Sequence, residues 1–115
     1  MKIDKRIEEL YALENGWLYG EGIAPNKELL DRFKDLFNLY YDNSHYPAIF
    51  PTGRGNLQLE WAKGSNNIIL EVNLTSLKSQ FFHYDDLSDD ETEVDIELET
   101  KEGWLELNTL VRTYL

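Results

Sequence analysis

Between Ala48 and Leu98 the apolar residues of this chain recur at every second position, and on either side they recur at every third or fourth. A period of two turns one face of a strand inward, and a period near 3.6 turns one stripe of a helix inward. That order of periods, in a chain of 115 residues, leaves few folds. Helices at both ends of a run of strands belong to the α+β class, with the helices covering one face of an antiparallel sheet.

Ile3, Ile7, Leu10 and Tyr11 stand at helical spacing among Lys5, Arg6, Glu8 and Glu9. This predicts a short amphipathic helix, ended by Asn15-Gly16 in the left-handed conformation. Trp17 to Pro25, with Gly20 and Gly22, reads as a loop. Asn26 is a plausible cap for a second helix with Leu29, Phe33, Leu36, Phe37 and Tyr40 facing inward, stopping near Asp42-Asn43-Ser44.

The strands follow. Ala48-Ile49-Phe50 lies between two prolines, and Thr52 to Asn56 forms a turn. Leu57, Leu59 and Trp61 alternate with polar residues, Lys63 to Asn67 turns the chain, and Ile68, Leu70, Val72 and Leu74 resume the alternation as a hairpin. Ser79 to Tyr84 is a further member of the meander, with Phe81 and Phe82 on opposite faces. Asp85 to Thr92 lacks apolar periodicity and reads as a solvated acidic loop. Val94, Ile96 and Leu98 then face inward while Glu93, Asp95, Glu97 and Glu99 face water, a pattern that guards an edge strand. Trp104, Leu107, Val111 and Tyr114 mark a terminal helix capped by Thr100, with Gly103 an unfavourable residue inside it. The expectation is one α+β domain over residues 1–115: two N-terminal helices, a four- or five-stranded antiparallel meander and a C-terminal helix.

Charge narrows the function. The chain carries −11, and the segment from Asp85 to Glu106 alone carries −10, with Lys101 its single base. Such a surplus favours basic protein surfaces and argues against gripping nucleic acid through its phosphates. The absence of cysteine excludes disulfides and thiolate chemistry. Charges at Lys2, Asp4, Lys5 and Arg6 interrupt the apolar stretch a signal peptide needs, and no run is long enough to span a bilayer. A cytoplasmic protein is expected.

Chemistry-bearing patterns are sparse. The acids from Asp85 to Asp95 are hard oxygen ligands, but the glycine of a calcium loop is missing among them. His45 and His83 fall on different elements, so no metal site and no cofactor is expected. Gly53-Arg54-Gly55 resembles a phosphate cradle but precedes a strand, not a helix, and reads as a hairpin turn. Glu60 and Glu71 could serve hydrolysis only if turned into an apolar pocket that raises a carboxyl pKa. Alternation instead puts them on the solvated side with Gln58 and Asn73. Trp17 and Tyr19 read as lids over a sheet edge or, where exposed, as interface anchors.

One resemblance stands out. Gly20-Glu21-Gly22-Ile23-Ala24-Pro25 before a helix, then Pro51-Thr52-Gly53 before a strand ending Leu59-Glu60-Trp61, resembles a group of small uncharacterised bacterial proteins. In that group a Gly-x-Gly-x-x-Pro loop, a helix and a Leu-Glu-Trp hairpin occur in this order. The resemblance covers residues 15–75 and implies the same helix-then-hairpin arrangement and an association with mobile-element and toxin–antitoxin neighbourhoods. Arg54 and Asn56 depart from the group's simpler acidic-glycine turn, and the acidic tail lies outside the shared region.

Together these features point to a non-enzymatic, antitoxin- or immunity-like module that docks on a basic protein. Asp89, Asp90, Glu91, Glu93, Asp95 and Glu97 are the expected contact residues, with Trp17 and Tyr19 as anchors. The alternatives are a small hydrolase using Glu60 and Glu71, and a DNA mimic that occupies the groove of a nucleic-acid-binding protein. A homodimer through an uncovered sheet face is also open.

Overall fold

The computed structural model describes residues 3–115; Met1 and Lys2, on which the signal-peptide reading partly rests, lie outside the described residues. The elements run α1 (Asp4–Tyr11), α2 (Lys27–Tyr40), β1 (Ala48–Pro51), β2 (Leu57–Lys63), β3 (Asn66–Val72), β4 (Lys78–Asp85), β5 (Glu91–Glu97) and α3 (Lys101–Tyr114). The strands form one five-stranded antiparallel sheet in the order β1-β2-β3-β4-β5. No helix among the described residues is long and apolar enough to cross a membrane.

The period-two pattern is realised strand by strand. Leu57, Leu59, Trp61, Ile68, Leu70, Val72, Phe81 and Ile96 are buried in one cluster with Ile7, Leu10, Leu30, Phe33, Phe37, Trp104, Leu107 and Val111 of the helices. All three helices therefore share one sheet face. Phe81 points into that core and Phe82 away from it, because successive side chains on a strand alternate.

Caps and turns set the ends of the elements. The Asn26 side chain accepts the Leu29 amide at 3.1 Å, and the Thr100 hydroxyl accepts the Gly103 amide at 3.1 Å, each satisfying a first-turn donor. α1 departs from expectation by stopping at Tyr11, so Asn15-Gly16 does not end it. Gly16 does adopt a positive φ of 89°. It serves the following loop, where its amide donates to Gly22 O at 2.8 Å and Asn15 Oδ1 accepts the Ala24 amide at 2.9 Å. The buried stripe of α2 includes Leu30, whereas Leu29, Leu36 and Tyr40 are only half-buried. The β2–β3 turn is tighter than the expected Lys63–Asn67, since Lys63 and Asn66 already pair. β3 ends at Val72, so buried Leu74 lies in the connection to β4.

An aromatic cluster joins the end of α2 to the helix-covered face of β2. Tyr41 stacks on Phe37 with ring centres 4.4 Å apart, packs against Trp61 and accepts the Trp61 indole N–H at 3.0 Å, while its own hydroxyl donates to His45 O. Burial pushes the Tyr41 phenol from 10.0 up to about 12. Folding thus favours the neutral ring: its contribution is complete below pH 10 and is lost as pH rises through the folded value. In an alkaline titration followed by phenolate absorbance, Tyr41 should ionise late, and Tyr41→Phe should remove that late component. A profile in Tyr41→Phe identical to that of the parent protein would show the assignment to be wrong.

Candidate functional site

The sheet face turned away from the helices is left uncovered by the fold. Ladder register arranges its side chains in cross-strand rows. One row runs Ala48, Glu60, Ile69, Phe82, Glu93, and the next runs Phe50, Gln58, Glu71, Gln80, Asp95. Tyr84 and Glu91 extend the face at one end, and Lys78 and Glu97 at the other. Ile69, Phe82 and Tyr84 thus form a partly exposed apolar strip between Glu60 and Glu93, and Phe50 stands apart from it across β2. Phe50 and Tyr84 are 43% and 39% exposed, which is high for rings on a sheet.

Electrostatically the face is one-sided. Glu60, Glu71, Glu91, Glu93, Asp95 and Glu97 project from it, and among the described strand residues of this face Lys78 is the only cation. Arg54 in the β1–β2 turn lies at its rim, beside a shallow depression also lined by Glu71, Lys78, Gln80 and Asp95. Gln80 reaches the carboxylates of Glu93 and Asp95 at 3.4 and 3.5 Å. Those bonds hold two acids side by side without neutralising either.

Four of the six expected acidic contact residues, Glu91, Glu93, Asp95 and Glu97, lie on this face along β5. Asp89 and Asp90 occupy the turn between β4 and β5, exposed beyond the end of the sheet. That turn is short and ordered, which corrects the expected loop from Asp85 to Thr92. The Asp85 carboxylate accepts the Leu87 amide at 2.8 Å, and this bond holds its pKa below the usual carboxylate value. Asp86 braces the turn on the β2–β3 turn, donating its amide to Ser65 O at 2.9 Å. Apolar alternation misses the start of β5 because its first inward residue is Thr92, whose hydroxyl is met by the Tyr114 hydroxyl at 3.1 Å.

Trp17 and Tyr19 belong elsewhere. Their loop is tied to the β1–β2 turn by the Ile23 amide donating to Gly53 O at 2.9 Å, on the β1 side of the sheet, across from β5. The Trp17 indole donates to Ile23 O at 3.1 Å within its own loop. Tyr19 is 99% exposed at the loop tip with a positive φ of 52°, so it is no lid. The acids and these two aromatics do not form one surface.

Glu60 and Glu71 both point away from the core, and the Glu60 carboxylate accepts the Gln58 amide N–H at 3.0 Å. Glu60 borders a depression lined also by Ala48, Phe50, Ile69 and Tyr84, and Glu71 lines the one beside Arg54. His83 is buried, stacked on Tyr114 with ring centres 3.7 Å apart and joined through Nε2 to Asn66 Oδ1 at 2.9 Å. His45 serves through its carbonyl, which accepts the Trp61 indole N–H at 3.2 Å. Sequence reading missed the apolar strip, because Ile69 and Phe82 become neighbours only once strand order and register are fixed. No family model, curated protein or solved structure matches the chain.

Proposed function

We propose that this protein is a non-enzymatic binding module whose open sheet face docks on a basic surface of another protein, in the manner of an antitoxin or immunity protein. The observation that carries this reading is the pairing of a one-signed face with exposed apolar groups. Aromatic and aliphatic side chains supply contact area, while surrounding carboxylates raise the encounter rate and reject acidic partners. The resemblance to proteins from toxin–antitoxin neighbourhoods points the same way. A second copy suits the face poorly, since stacking two such faces would oppose carboxylates with carboxylates.

The test begins with capture from native host lysate and is decided on the purified pair. A basic partner should associate about tenfold more slowly, with a flatter salt dependence, when Glu93→Gln, Asp95→Gln and Glu97→Gln are combined. The variant should keep the parent's melting temperature, because all three side chains are exposed. Retention of no basic protein at low salt, or unchanged association of the purified partner with the variant, overturns the proposal.

A further inference from the structure

Of the sheet's two edges, one is closed and the other is open. β1 follows Pro47 and ends at Pro51, both of which lack a backbone donor, and Arg6 of α1 donates its Nε to Ile49 O at 2.8 Å. β5 is the other edge. Its phase in the ladder is fixed at both ends, by Asp85 N donating to Asp90 O at 3.0 Å and Leu98 N donating to Leu77 O at 2.9 Å. In an antiparallel pair every second opposed couple exchanges both bonds. With the observed register, Thr92, Val94 and Ile96 are therefore the residues bonded to β4. The N–H and C=O groups of Glu91, Glu93 and Asp95 point out of the sheet.

Glu97 shares that phase but is covered. Its carbonyl accepts the Thr100 amide at 3.3 Å and the Thr100 hydroxyl at 3.1 Å, and it sits against Gly103 of α3. The free length is Glu91 to Asp95. These are the same residues whose carboxylates stand on the open face, so one short segment offers both an unpaired ladder and a row of negative charge.

We infer that this edge receives an extended basic segment of the partner as a sixth, antiparallel strand; the inference rests on the binding function proposed above and specifies its mode. Residues of the added strand opposite Glu91, Glu93 and Asp95 would exchange backbone bonds with them at a Cα separation of about 5.5 Å, with side chains on the open face. Lysine or arginine there meets a carboxylate directly across the pair. The intervening residues fall on the other side, beside Val94, which is only half-buried at the margin of the core. The occupant thus alternates basic and small apolar residues. A second β5 is the wrong occupant, since antiparallel self-pairing would set acids opposite acids. The carboxylates block indiscriminate pairing and select a strand of opposite charge.

The experiment uses a blocked peptide, Lys-Thr-Lys-Val-Lys-Thr-Lys, and a copy N-methylated at its lysine amides, with the full-length protein labelled for NMR at low salt. With free peptide about tenfold above its Kd, exchange of the Glu93 and Asp95 amides should slow about tenfold, while Val94, already in the ladder, changes little. The N-methylated peptide keeps the charge but loses the donors, so it should give no such protection. Equal binding of both peptides without protection of Glu93 and Asp95 overturns strand addition and leaves the acidic docking face standing. Failure of both to bind overturns the two together.

Discussion

Replacing Gly103 with alanine should cost more than about 3 kcal/mol, at or above the upper end of ordinary overpacking. A Cβ at this position would lie 1.8 Å from the Glu97 carbonyl oxygen and 2.6 Å from its carbon, both backbone atoms that cannot swing aside. Relief requires moving the start of α3, yet that turn is pinned. Thr100 bonds to Glu97 O and caps the Gly103 amide, and Trp104, the next residue, is fully buried. Against a total stability of about 5–15 kcal/mol, such a loss removes much of the margin. Urea titration should give a sharply lowered midpoint with weakened near-ultraviolet tryptophan dichroism. Leu105→Ala, at a half-exposed neighbouring position, should stay within about 0.5 kcal/mol. A Gly103→Ala midpoint as close to the parent's as that of Leu105→Ala would mean that the helix does not start against the Glu97 carbonyl. The same contact bounds the open edge of β5, so a shift of α3 there would lengthen the free ladder.

Gly103 also shows how far local pattern carries and where it stops. Read as sequence, it is a poor helix former that weakens the terminal helix, and by propensity alone that is correct. Its necessity comes from a strand carbonyl six residues earlier, which no periodicity encodes. The strands were legible because this sheet is buried on one face only, and alternation is the direct trace of that asymmetry. Thr92 broke the trace at the start of β5, since a hydroxyl satisfied by Tyr114 is inward without being apolar. The Asn26 and Thr100 caps were legible because a cap is a local arrangement within a few residues.

The candidate site divides along the same line. That Glu93, Asp95 and Glu97 face water follows from a period of two. That they share a face with Phe82, Ile69 and Phe50 depends on strand order, and that the ladder beside them is unpaired depends on hydrogen-bond phase. Neither is local. Tyr19 illustrates the opposite case: its loop is local and legible, but its place relative to β5 rests on the long-range bond from the Ile23 amide to Gly53 O.

Trp104→Ala should be the other severe substitution, at about 3–5 kcal/mol, equivalent to a fall in Tm on the order of 10–20 °C. The indole is fully buried, lies 5.9 Å between ring centres from both Phe33 and Phe37 of α2, and donates its N–H to Leu98 O at 2.8 Å. It therefore ties α3 at once to the other large helix and to the residue that follows β5. Trp104→Phe separates the two roles. A phenyl ring keeps most of the packing but strands the buried Leu98 carbonyl without its donor, at about 1–3 kcal/mol. If packing dominates, the phenylalanine variant should recover more than half of the loss seen with alanine. Equal losses in the two variants would place the stabilisation in the indole–carbonyl bond. Melting of both variants near the parent temperature would deny that α3 is seated through Trp104 at all. The functional face depends on this anchor, because α3 packs on β5 and holds Val94 and Ile96 inward, and only that orientation turns Glu93, Asp95 and their backbone groups toward a partner.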